Sequence, residues 1–175
     1  YAKWKVHENV LTADQYPTEY FKKLEYASDR WSIVADPETG NKVWRYSFAD
    51  GSNQSTTATT RFTLSDGVNR MRAFPSSKYT VKIRYKMLEI KSDVVQFNVT
   101  TATEKATWTN NSNSTYLSAD TATDGKWKEV TFTFNATYKN GLEDSNYIAI
   151  GAYGNAKFYI ESVTVTTDLD FDYLN

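Results

Sequence analysis

Between positions 79 and 87 the side chains alternate strictly. Tyr79, Val81, Ile83, Tyr85 and Met87 are apolar, and Thr80, Lys82, Arg84 and Lys86 between them are polar or charged. A strand sends successive side chains to opposite faces, so this run has one oily and one wet face only when extended. Wound into a helix, it would scatter the apolar set around the axis. The same period recurs where Val95, Phe97 and Val99 alternate with Gln96, Asn98 and Thr100, and where Val130, Phe132 and Phe134 alternate with Thr131 and Thr133. Further strands are expected over 31–35, 43–48, 59–64, 147–153 and 158–166. Turn-forming clusters separate them, such as Asp36-Pro37-Glu38-Thr39-Gly40-Asn41, Ser65-Asp66-Gly67, Asp124-Gly125 and Gly154-Asn155. Roughly ten short strands joined by turns predict an all-β chain, an antiparallel β-sandwich of jelly-roll type.

Only residues 18–30 carry a helical stripe. Tyr20, Phe21, Leu24 and Ala27 fall near one face with Pro17 ahead of them, which predicts one short helix near the N-terminus. The segment 103–124 reads as a Thr/Asn/Ser-rich loop, and 168–175 as a tail or linker. With 175 residues the chain forms a single domain over 1–175.

Charge and composition remove several function classes. The 20 basic and 21 acidic residues leave a net charge of −1, a balance that argues against nucleic acid or an anionic membrane surface as partner. There is no cysteine, hence neither a disulfide nor a thiolate zinc site. No run approaches the length of a transmembrane helix. The single histidine, His7, sits in the polar segment Lys5-Val6-His7-Glu8, the setting of a solvated surface residue. No nucleophile elbow, zinc helix, phosphate-cradling loop or EF-hand loop occurs. The residues give no catalytic constellation, although a glycosidase needs only two carboxylates and the sequence does not say which acids face each other.

The aromatics are the informative set, at 15 % of the chain with 13 Tyr, 9 Phe and 5 Trp. Sandwich cores use many of them. Trp44, Tyr46 and Phe48 share one strand face, Tyr79 and Tyr85 share the parity of Val81 and Ile83, and Trp127 opens a strand at a packing position. All six are expected in the core. Tyr147 and Tyr153 differ, because Ile148, Ile150 and Ala152 take the buried parity. Tyr147, Ala149, Gly151 and Tyr153 are thereby left on the opposite face as a shallow floor with aromatic walls. Gln96 and Asn98, on the outward face of another strand, can supply hydrogen bonds. Trp108, Tyr116 and Trp31 complete the candidate ligand-facing set. Flat rings beside hydrogen-bonding groups suit a sugar, whose C–H face stacks on an aromatic while its hydroxyls bond polar side chains.

The order of four segments resembles the carbohydrate-binding modules of the family 4, 9, 16 and 22 superfamily. These are Gly40-Asn41-Lys42-Val43-Trp44-Arg45-Tyr46, then Ser77-Lys78-Tyr79-Thr80-Val81, then Gly125-Lys126-Trp127-Lys128-Glu129-Val130, then Lys157-Phe158-Tyr159-Ile160-Glu161-Ser162-Val163. The resemblance spans roughly residues 31–167 and implies a jelly roll whose concave sheet grips one glycan chain. It further implies a monomeric, extracellular or cell-surface bacterial module within a larger multidomain protein. A structural calcium ion is implied as well, with Glu161 at the place of a family ligand. The N-terminal segment 1–30 departs from the family, since Asn9-Val10-Leu11-Thr12 stands where members open with an Asn-x-Gly-Phe-Glu segment. The expected function is a non-catalytic module for a plant polysaccharide such as starch, β-glucan or xylan. The alternative is a structural spacer or protein-binding domain of a surface scaffold.

Overall fold

The computed structural model describes residues 7–15, 30–47, 60–64, 71, 78–91, 94–102, 115–135 and 147–167. Within them the chain forms ten strands and one 3-10 turn: β1 His7–Thr12, the turn Ala13–Gln15, β2 Trp31–Ala35, β3 Lys42–Ser47, β4 Thr60–Thr63, β5 Lys78–Ile90, β6 Gln96–Ala102, β7 Thr115–Ser118, β8 Lys128–Asn135, β9 Tyr147–Tyr153 and β10 Ala156–Thr167. The strands divide into two antiparallel sheets. The first runs β2-β3-β10-β5-β8, with β1 also on β10, and the second runs β4-β9-β6-β7. β10 is the hub. It pairs with β5 along one edge, and along the other it meets first β3 and then β1. The antiparallel β-sandwich expected from the alternation is the fold found.

Burial follows the predicted parity. Along β5, Tyr79, Val81, Ile83, Tyr85 and Met87 are each at most 2 % exposed. Aromatic rings bridge the two sheets. Trp31 of β2 meets Phe62 of β4 edge-on at 4.8 Å, Phe158 of β10 meets Phe97 of β6 at 5.1 Å, and Tyr85 of β5 meets Phe97 at 4.8 Å. Offset and edge-on pairs at these separations are worth about 0.5–1.5 kcal/mol each beyond the area they bury.

Two expectations need correction. The segment 103–124 is not loop throughout, because Thr115–Ser118 pairs with β6 as β7 and rests Leu117 against the core. Four residues are too few for alternation to stand out in a polar run. Trp127 is only half-buried and lies on the outward face of the first sheet instead of in the core. The strand pairing begins at Lys128, so Trp127 keeps the parity of exposed Glu129. The expected helix over 18–30 lies outside the described residues except for Arg30, as does the tail 168–175.

The turn after β9 is fixed by two side chains. Gly154 takes φ +118°, a conformation that disfavours any side chain. Its carbonyl accepts hydrogen bonds from the Tyr46 hydroxyl at 2.8 Å and from Arg30 Nη1 at 3.2 Å. The same guanidinium donates to Asn155 Oδ1. This clamp sets where β9 ends, and therefore where Tyr153 stands.

Candidate functional site

The register of the second sheet gathers most of the sequence candidates on its outward face. Gln96 lies opposite Tyr153, Asn98 opposite Gly151, Thr100 opposite Ala149, and Ala102 opposite Tyr147. On the other side of β6, Tyr116 of β7 takes the register position opposite Asn98. Tyr147 and Tyr153 stand at the two ends of β9, about 20 Å apart at the usual strand rise. Both are half-buried, as is Gln96. An aromatic ring that reaches the surface can stack on a sugar, and a neighbouring amide can bond its hydroxyls.

Between the tyrosines the floor is closed to solvent. Ala149 and Asn98 are 0 % exposed, Thr100 is 1 % exposed, and Gly151 is buried. Asn98 is thus a correction: its parity is outward as expected, but it has no accessible surface and presents nothing to a ligand. Thr100 was not singled out by the sequence. Its Oγ1 is buried and, among the described residues, has no hydrogen-bond partner, a costly arrangement for a hydroxyl.

Trp31 is a second correction. It is 6 % exposed, with its ring edge-on to Tyr46 at 5.1 Å, to Phe62 at 4.8 Å and to Phe158 at 5.9 Å. It starts β2 on the same face as Ile33 and belongs to the core that joins the sheets. Trp108 lies outside the described residues.

Glu161 sits on the outward face of the first sheet, where Arg84 Nε donates to its Oε2 at 2.7 Å. Among the described residues no three acidic or histidine side chains come together as a metal-binding group. A calcium ion needs six to eight oxygens. Among the described residues Glu161 is held in an ion pair with Arg84, and the calcium ion implied by the resemblance stands as an expectation.

The outward face of the first sheet carries the cluster that the sequence did not reveal. Trp127 has the Lys86 ammonium 4.7 Å from its ring centroid and the Arg84 guanidinium at 5.9 Å. Lys86 is 3 % exposed, yet it points to the outside of the sandwich. Its Nζ donates to Glu38 Oε2 at 3.3 Å. Glu38 comes from the β2–β3 turn, so that turn reaches across β3 and β10 to β5. Inside the turn, Asp36 Oδ1 accepts from the Glu38 N–H, the Gly40 N–H donates to the Asp36 carbonyl, and Gly40 takes φ +77°. The signal available in the sequence was the even parity of Lys86, which marks it as outward but not as buried.

No family model matches the sequence, and no curated protein does. Among solved structures the chain is similar to the C-terminal CBM6 of LamC, a marine laminarinase from Zobellia galactanivorans, with 13 % identity and a TM-score of 0.51. That alignment covers 91 % of this chain and 99 % of the other. The CBM22-1 xylan-binding domain of Paenibacillus barcinonensis Xyn10C aligns more loosely, at 9 % identity over 80 % of this chain and 81 % of the other, with a TM-score of 0.46. CsCBM6-3 of Clostridium stercorarium, solved with cellobiose, aligns at 11 % identity over 89 % and 90 %, with a TM-score of 0.42. The first of these likenesses shows the fold alone: the same kind of β-sandwich as in that module.

Proposed function

We propose that the chain is a non-catalytic carbohydrate-binding module for a plant polysaccharide such as starch, β-glucan or xylan. The observation that carries this is the outward face of the second sheet, where Tyr147 and Tyr153 are half-buried and Gln96 lies opposite Tyr153. Two separated rings grip a chain of sugars better than a single sugar, because each stacks on a different unit. Such a contact is small and wet, so affinity falls between about micromolar and millimolar. The same proposal makes the chain an extracellular or cell-surface module of a bacterial multidomain protein, one that delivers binding and leaves catalysis to other domains.

Native affinity electrophoresis through gels containing starch, mixed-linkage β-glucan, xylan or mannan tests the proposal. Retardation in one gel, lost in Tyr153→Ala with no change in melting temperature, supports it. Equal mobility in every gel refutes it. One observation favours a spacer or protein-binding role in that event: the floor at Asn98, Thr100 and Ala149 is sealed, as a purely structural face would be.

A further inference from the structure

The Trp127 cluster has the composition of a ligand site and lies on the sheet opposite the tyrosine face. Tyr159 of β10 is the register partner of Lys86 and also of Arg45 on β3. Trp127, one residue before the Lys128–Tyr85 pair, faces Lys86 from the other side. The row across the strands is therefore Trp127, Lys86, Tyr159 and Arg45. Its two rings are two strand spacings apart, about 10 Å. Both are half-buried, and between them lies an ammonium that is almost wholly buried.

The polar groups of this row are balanced and only partly used. Lys86 is almost wholly buried, and its Nζ donates to one oxygen of Glu38 and lies over the Trp127 ring, so it fixes both groups in place. The side chain of Glu38 is 77 % exposed and keeps its other oxygen at the surface. Arg84 bridges Glu161 at 2.7 Å and Glu129 at 3.7 Å. Lys86, Arg84 and Arg45 match Glu38, Glu129 and Glu161 in number, so these six groups carry no formal excess of either charge. Neutral hydroxyls, which donate and accept at once, fit an array of adjacent donors and acceptors, and the flanking rings fit the C–H faces of sugars.

Resting on the carbohydrate-binding role proposed above, we infer that the outward face of the first sheet holds a second subsite for neutral sugar units of a glycan chain. Trp127 and Tyr159 form its stacking rings, exposed Glu38 forms its hydrogen-bonding group, and buried Lys86 holds Glu38 in place. The two subsites occupy opposite faces of the sandwich, so one molecule engages two glycan chains and links them.

The test uses the intact chain with the polysaccharide that retards it in the gels. Wild type should cross-link that polymer in solution, seen as turbidity rising with added protein. Trp127→Ala should abolish the turbidity and weaken retardation roughly tenfold, the usual scale for removing one anchoring aromatic. Tyr159→Ala serves in its place if Trp127→Ala does not fold. Removing a ring from each face, as in Trp127→Ala with Tyr153→Ala, should abolish retardation altogether. Full turbidity and retardation in both Trp127→Ala and Tyr159→Ala, with loss in Tyr153→Ala, overturns the second subsite and leaves the module reading intact. A wild-type chain with equal mobility in every gel overturns both.

Discussion

Replacing Trp31 with alanine separates a core aromatic from a ligand-facing one. The indole is 6 % exposed and meets three other rings edge-on. A buried Trp removes up to about 250 Å² from water, which at about 25 cal/mol per Å² is about 6 kcal/mol. Residual burial in the unfolded chain lowers that figure, and large-to-small changes at buried aromatics cost about 3–5 kcal/mol in practice. Trp31→Ala should therefore cost about 4 kcal/mol. For a domain of this length each kcal/mol moves the melting temperature by about 2–4 °C, so the expected fall is roughly 8–16 °C. Thermal unfolding followed by circular dichroism measures it, and affinity electrophoresis below the melting point measures binding in the same protein. The folded fraction should bind as wild type does. A fall of a degree or two with binding lost would refute this reasoning and return Trp31 to the ligand surface.

Two further outcomes follow from polar groups. Thr100→Val exchanges an unpartnered, buried hydroxyl for a methyl of the same shape, so it should raise stability by about 1 kcal/mol, read as a higher urea midpoint; a lower midpoint would mean that the hydroxyl is bonded. Asp120 is held below the usual carboxylate range by the Ala122 N–H and then by Lys128, and Asp124 by the Lys126 N–H and then by Lys128. Groups whose folded pKa is depressed contribute stability above their unfolded value, near 3.9, and lose it as pH falls through the folded value. Stability should decline below about pH 4, and the double change Asp120→Asn with Asp124→Asn should flatten that decline; an unaltered acid profile would contradict the assignment.

The sandwich was legible because alternation is a property of consecutive residues. Tyr79 to Met87 announces its inner face unaided, and Tyr147 and Tyr153 were correctly placed opposite Ile148 and Ile150 by counting. Parity gives the face but not the cover. Asn98 and Lys86 both point outward, yet neither is accessible, because their burial depends on neighbours brought in from distant strands and turns. Trp31 shows the converse. At the start of a strand, beside Arg30, nothing local marks it as the ring on which Tyr46, Phe62 and Phe158 converge. The Trp127 cluster was hidden for a related reason, since Glu38 reaches Lys86 only after the β2–β3 turn has crossed two strands.

The place of β10 at the centre of the first sheet governs the order of events during synthesis. β3 and β5 do not pair with each other, and both wait for Ala156–Thr167 to lie between them. His7 finds its partner, Thr167, only after nearly all the described chain has left the ribosome. Pairings this remote in sequence make for folding over milliseconds to seconds. Until then the nascent sheet exposes open strand edges, which are templates for aggregation. A chain cut ahead of Ala156 would lack the strand that joins the first sheet, so the module is built to become native late and all at once.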